Sequence, residues 1–354
     1  MATKKKKAVQ ISTTSQDLVA AMQKKYGKVA ATNISDEKKA AGQVREHISS
    51  GLDVLDWHVL GRGGWPIGRA SEVYGPEGSC KTSLQYLGFA QVQKAGGVAA
   101  MVDAEHTFDE ERATLYGVNI DDLIVLQPDH LEHLFSMLKT LLQSHNPKDG
   151  PMLIGWDTVA STQTKGATEA DPTKSQMGRK AGVMSSQLSL VLDLLPAARA
   201  HLMMLNQQRV KFGVMFGDNT TTPGGNAPKF YASTRLAIMG GKGVKNAAGD
   251  HIAKVVTMMA IKNREAPPYR KARVRLDYMH GFNNIYSTIE LAKTLKLITP
   301  REDGYKGAGK AGLVAYATAL EALGWDEVVT MPPPVEASAD DGVEDSEGDD
   351  GSEE

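Results

Sequence analysis

From about residue 48 the chain alternates short apolar runs with segments whose apolar residues recur every three or four positions. The runs Ser71–Tyr74, Val98–Asp103, Leu123–Gln127, Met152–Asp157 and Leu202–Asn206 read as strands. Helical spacing falls between them, around 82–94, 109–116, 131–144 and 178–195. Strands that alternate with helices pair in parallel through helical crossovers, which predicts an α/β fold with a doubly wound sheet. Ligands of such sheets sit beyond the carboxyl ends of the strands. Three more strand-like runs, Arg235–Gly240, Lys254–Lys262 and Ala272–Tyr278, follow without helices and predict an antiparallel extension. Residues 284–331 read as a small helical C-terminal piece, and 332–354 as a disordered acidic tail.

Residues 1–47 are polar and lysine-rich apart from Gln16–Tyr26, where Leu18, Val19, Met22 and Tyr26 share one helical face. That stripe docks on its own domain or on a neighbouring subunit; spacing does not choose. Two interruptions, about 161–178 and 208–228, are too long for simple connectors. The second sets Phe212, Val214, Met215 and Phe216 among glycines and threonines, with Arg209 and Lys211 at its base. Apolar groups on a basic loop can wedge against bases while cations and glycine amides follow phosphates. A lid packing its apolar residues on the domain is the other reading.

Composition narrows the class. With 41% hydrophobic and 23% charged residues the chain reads as an ordinary globular protein, and no apolar run approaches the length of a bilayer span. The basic start has no hydrophobic stretch behind it, so a secretory signal is not expected. One cysteine excludes an internal disulfide, and a reducing cytoplasm is the expected setting. Between Glu336 and Glu354 lie ten acidic residues and no Lys or Arg, so the rest carries a formal +8 against the chain's −2. A basic body with an acidic tail suits a polyanion binder carrying its own competitor, or a tail kept for solubility.

Gly75-Pro-Glu-Gly-Ser-Cys-Lys-Thr-Ser83 joins a predicted strand to a predicted helix, the layout of a phosphate-binding loop. Backbone amides of the turn and of the helix start favour an anion there. Lys81 adds a charge for the β- and γ-phosphates, and Thr82 a hydroxyl for Mg²⁺. The pattern expects glycine before the lysine, and Cys80 stands in that place; a side chain costs strain where the backbone bends tightly. Beside a helix N-terminus and Lys81, the Cys80 thiol is expected to ionise more readily than usual. Asp157 closes a buried-strand run and suits a Mg²⁺-positioning acid, while Glu105 follows another strand and suits a general base for the attacking water. Gln207, between a strand and the second loop, suits a sensor of the γ-phosphate.

These residues, with Gly61-Arg-Gly-Gly-Trp-Pro-Ile-Gly-Arg69, Asp103-Ala-Glu-His106, Trp156-Asp157, Gln176-Met-Gly178, Asn206-Gln207, Gly213-Val-Met-Phe-Gly217 and Thr222–Ser233, resemble the RecA-type recombinases of bacteria and bacteriophages. The resemblance is dense over 48–290. It implies a RecA-like P-loop ATPase core at 48–283, a small N-terminal helical arm docking on the adjacent protomer, and a small C-terminal helical domain. It also implies ATP and Mg²⁺, a helical filament of identical protomers, and single-stranded DNA paired and exchanged with a homologous duplex. By resemblance, Lys81, Glu105 and Gln207 are catalytic, and the loop Gly75, Pro76, Glu77, Gly78, Ser79, Cys80, Lys81, Thr82 and Ser83 binds ATP with Asp109, Arg112 and Tyr278. Thr82 and Asp157 hold the metal. Lys262, Arg264 and Phe230 reach a neighbour's ATP. Met177, Gly178, Arg179, Ser185, Arg209, Val210, Phe212, Val214, Met215, Phe216, Gly224, Gly225 and Asn226 match DNA contacts.

Several positions depart from the family. Arg112 stands where an aromatic commonly stacks on adenine, although a guanidinium also stacks. Arg264 replaces a common lysine, and the helix after the first loop lacks arginines at Gly182 and Ser189, for which Arg179 and Lys180 are the candidate substitutes. Because of Cys80, a filament-forming single-stranded-DNA-binding protein with weak or no ATPase remains an alternative to the recombinase. A RecA-fold ATPase of another trade, closing into rings, is a third.

Overall fold

The computed structural model describes Lys24 and residues 46–168, 178–210, 220–296, 298–301 and 304–307. The arm stripe at Leu18–Tyr26, apart from Lys24, and the acidic tail lie outside these residues. Nine strands form the central sheet: β1 Ala70–Gly75, β2 Val98–Asp103, β3 Leu123–Leu126, β4 Met152–Asp157, β5 Ala200–Gln207, β6 Thr234–Lys245, β7 His251–Asn263, β8 Lys271–Asp277 and β9 Gly281–Asn283. Their order is β9-β8-β7-β6-β1-β5-β4-β2-β3. All pairings from β6 across to β3 are parallel, and those from β6 out to β9 antiparallel. The fold is the expected α/β one, a mostly parallel sheet with an antiparallel wing.

Around the sheet lie the helices α1 Lys81–Lys94, α2 Glu110–Leu115, α3 Leu131–Ser144, α4 Lys165–Thr168, α5 Arg179–Leu194, α6 Ala227–Tyr231 and α7 Asn284–Thr294. Period-2 alternation explains why the central strands carry unbroken apolar runs. Met203 and Leu205 of β5 face a core with Leu84, Phe89 and Val92 of α1, whereas Leu202 and Met204 face a second core with Leu134 and Leu138 of α3 and Leu188 of α5. Both faces are covered, so most positions are apolar, and among the buried exceptions Glu72 and Asn206 hydrogen-bond each other. In α3 the buried Leu131, Leu134, Phe135, Leu138 and Leu142 make one stripe, and the His130 ring accepts from the His133 amide at its start.

Two expectations change. The C-terminal piece is not helical throughout: after α7, capped by Asn283, a hairpin pairs Ile298–Arg301 with Gly304–Gly307. Pro300 and the β-branched Ile298 and Thr299 disfavour a continued helix there. The second long interruption is not structureless at its base, because Arg209–Val210 pairs antiparallel with Thr220–Thr221 before α6. Among the described residues no helix is long and apolar enough to cross a membrane.

Candidate functional site

The glycine-bearing turn leaves β1 at the carboxyl edge of the sheet and runs into α1. A Cβ on Gly75 would lie 2.3 Å from the Ile238 carbonyl oxygen, so neighbouring β6 admits only glycine. Cys80 sits at φ 71°, ψ 25°, in the left-handed region, which is the physical reason the pattern asks for glycine. Its side chain is 8% exposed and packs into the core beneath the loop. Burial pushes the thiol above its ordinary range, and the nearby charges of Lys254, Arg112 and Lys81 offset this only in part. The expectation of a readily ionised thiol is therefore overturned: desolvation outweighs the positive surroundings.

Lys81 Nζ donates to Pro76 O (2.8 Å), Gly75 O (3.3 Å) and Ser79 Oγ (3.3 Å). Burial lowers its affinity for a proton, and Asp157 and Glu105 partly restore it. Thr82 Oγ1 donates to Asp157 Oδ2 at 2.7 Å. Burial is also the leading reason that Asp157 is raised to about 6; the Thr82 bond opposes the rise, while the Glu105 charge adds to it. A hydroxyl beside a carboxylate oxygen at the foot of a phosphate loop suits Mg²⁺, which prefers oxygen ligands, so the donor set fits that ion.

Parallel register assembles the remaining groups. Asp103 pairs with Asp157, which brings Glu105 beside the end of β4, where Thr158 Oγ1 donates to Glu105 Oε1 at 2.7 Å. Gly75 pairs with Gln207, and the Gln208 amide donates to Gly75 O at 3.0 Å. Asn206 Nδ2 donates to the buried Glu72 (3.0 Å) and to Pro223 O (2.9 Å), tying the far stem of the second loop to β1 and β5. Glu72 in turn holds Arg235 at 2.6 Å.

Residues 78–83, Asp109, Arg112 and Tyr278 line one cleft of about 360 Å³, within the range of small-molecule sites. Asp109 caps α2 by accepting from the Arg112 amide, and Arg112 Nη2 donates to Ser83 Oγ at 3.2 Å. Lys254, Tyr86, Thr107 and Leu276 also line the cleft and were not singled out from the sequence. Lys254 Nζ donates to Gly78 O at 2.5 Å across 176 positions of sequence. A lysine inside a strand run was its only local signal.

Lys262, Arg264 and Phe230 lie elsewhere. β7 runs antiparallel to β6, so Lys254 near its start stands at the carboxyl edge, while Lys262, paired with Arg235, stands at the amino edge. Lys262 Nζ donates to Lys229 O (2.8 Å) and Phe230 O (2.9 Å), and burial and then Arg264 lower its proton affinity. Arg264 and the 68% exposed Phe230 border a second cleft with Gly68 and Arg69, which precede β1. Within one chain these residues and the phosphate loop occupy opposite edges of the sheet.

Both long interruptions leave the carboxyl edge. Gly178 opens α5, where Arg179, Ser185 and, at the second stem, Arg209 are exposed. Gly224 (φ 93°) and Gly225 (φ 71°) make a turn against Val159 and Ala181, and a Cβ on either would approach its neighbour to 2.9 Å; Asn226 follows, exposed. The bases of the two segments are therefore adjacent. Met177, Phe212, Val214, Met215 and Phe216 lie outside the described residues, as does the side chain of Val210. Lys180 does not point outward as a substitute cation: Nζ donates to Val159 O (2.7 Å) and Ala160 O (3.0 Å), and burial with the Arg209 charge lowers it to about 8.

The chain matches the family described as RecA N-terminal domain over residues 14–283. It is 38% identical over 289 residues to Protein RecA of Francisella philomiragia subsp. philomiragia, covering 82% of this chain and 78% of that protein. Protein RecA of Leptospira meyeri is 38% identical over 290 residues, covering 82% of this chain and 73% of the relative. Protein RecA of Francisella tularensis subsp. novicida is likewise 38% identical over 289 residues.

Proposed function

The chain belongs to the RecA family, and on that premise we propose that it is a DNA-dependent ATPase that forms helical filaments on single-stranded DNA, pairs them with a homologous duplex and exchanges strands. The observation carrying this reading is the register that sets Gly75 of the phosphate loop beside Gln207 at the entry to the second loop. A residue reading the γ-phosphate at that point moves the stem of a polynucleotide-binding segment with it.

Lys81 and the loop amides bind the triphosphate. Thr82 and Asp157 hold Mg²⁺, which when bound neutralises charge on the transferring phosphoryl group. Glu105 takes a proton from the attacking water. Asp109, Arg112 and Tyr278 border the base. Lys262 and Arg264 of one protomer complete the site of the next, so that nucleotide state sets filament geometry. The setting is the cytoplasm of a bacterium or of a phage-infected cell.

Phosphate release with and without single-stranded DNA tests the reading. DNA should stimulate hydrolysis, and Lys81→Ala and Glu105→Gln should abolish it, while Glu105→Gln still binds DNA with ATP. Hydrolysis untouched by both changes would refute the assigned roles. The backbone at Cys80 favours one rival, a filament-forming DNA-binding protein that hydrolyses little. A silent parent beside an active Cys80→Gly variant would select it.

A further inference from the structure

Thr158 follows Asp157 directly and is buried, yet neither the loop nor the metal pair uses it. Its single hydroxyl proton goes to Glu105 Oε1 at 2.7 Å, and its oxygen accepts from the Ser161 amide at 3.3 Å. Ser161 Oγ donates back to Thr158 O at 2.9 Å, and Thr162 Oγ1 does so at 3.0 Å while accepting from the Trp156 indole. Among the described residues the Thr158 hydroxyl is the one hydrogen-bond partner of the Glu105 side chain. A carboxylate that must meet a water in line with a phosphorus atom is aimed by that one bond.

The turn holding Thr158 is also the start of the first long interruption. Ser161 opens that segment, and Lys180, in the first turn of the helix at its other end, grips Val159 O and Ala160 O. Both ends of the interruption therefore bear on residues 158–162. We propose that Thr158 is the positioning residue for Glu105, and that a polynucleotide held at the described ends of the interruption, by Ser161 and the exposed Gly178 and Arg179, stimulates hydrolysis by settling the turn through Ser161 and Thr158. The inference rests on the reading of Glu105 as general base and names the route by which DNA reaches it.

The test uses the full chain with saturating ATP, Mg²⁺ and an oligo-dT strand. Thr158→Val keeps the shape and removes the hydroxyl. It should lower DNA-stimulated kcat on the order of tenfold, with KM for ATP and DNA affinity unchanged, and shrink the ratio of stimulated to basal rate. Thr158→Ser, which restores the hydroxyl without the methyl, should recover most of the stimulated rate. Wild-type kcat in Thr158→Val, or a Thr158→Ser as slow as Thr158→Val, would overturn the inference. An active Glu105→Gln would overturn the base assignment and this route with it. An inactive Glu105→Gln beside an unimpaired Thr158→Val would overturn the route alone.

Discussion

The left-handed backbone and burial of Cys80 together give a stability prediction. At φ 71°, ψ 25° a residue with a Cβ costs about 1–2 kcal/mol relative to glycine. Cys80→Gly releases that strain, but it also gives up a side chain buried to 8% exposure, about 1 kcal/mol at the usual rate per buried carbon. Glycine further raises the entropy of the unfolded chain by about 0.5–1 kcal/mol. The contributions nearly cancel, so Cys80→Gly should unfold in urea within about 1 kcal/mol of the parent. Cys80→Ala separates them, because it loses the thiol and keeps the strain. Alanine should therefore be the less stable variant by roughly 1 kcal/mol, a fivefold change in the folded-to-unfolded ratio. Urea midpoints of the three proteins, measured without nucleotide, decide the matter. An alanine variant as stable as the glycine variant would mean that position 80 does not occupy the left-handed region.

Other predictions follow from the charges at the two sheet edges. Asp157 holds its proton more tightly folded (about 6) than unfolded (3.8), so its ionisation costs stability as pH rises through that window, to roughly 3 kcal/mol above it. Asp157→Asn should thus melt higher than the parent at pH 8 and equally at pH 4, while losing Mg²⁺-dependent hydrolysis; an unchanging difference in melting temperature across the range refutes the assignment. Asp56, also raised to about 6, and His201, lowered to about 4 by burial, shape the parent's own profile in opposite senses and cancel in that difference. Lys81→Ala and Lys262→Ala should each abolish turnover, yet an equal mixture should regain it at roughly a quarter of the interfaces, where an intact loop meets an intact Lys262. An inert mixture would place Lys262 outside the neighbour's site. Deletion after about Met331 should strengthen duplex binding at low salt by removing a competing polyanion, and unchanged affinity leaves solubility as the role of the tail.

How much of this was legible in the sequence depended on whether the signal was local. The run Leu202–Leu205 announces a strand buried on both faces because all four positions are apolar, and β5 has the described packing for that reason. Asp157 and Glu105 were legible as acids at strand ends, but Thr158, one position on, carried no pattern of its own. Lys254 read as an ordinary cation in a strand, since only the pairing of β6 with β1 brings it opposite Gly78. The stem at Arg209–Val210 and Thr220–Thr221 is two residues on each side, too short for periodicity to reveal. Charge around Cys80 was visible in Lys81; burial, which outweighs it, was not.

Strand β7 supplies a geometric reason for assembly. Lys254 touches the phosphate loop of its own chain, and Lys262 lies eight residues further along the same strand, about 26 Å at the usual rise of a strand. No side chain spans that distance, so Lys262 and Lys81 of one chain do not share a triphosphate. A second copy stacked head to tail removes the conflict, because the amino edge bearing Lys262, Arg264 and Phe230 then faces the carboxyl edge bearing the loop. Such a contact joins two different surfaces and repeats from copy to copy, generating an open helix unless the rotation happens to close. Under the proposed function, the placement of these cations at the far edge fits an ATP site shared between copies, and an open helix is what such a contact builds when the rotation does not close.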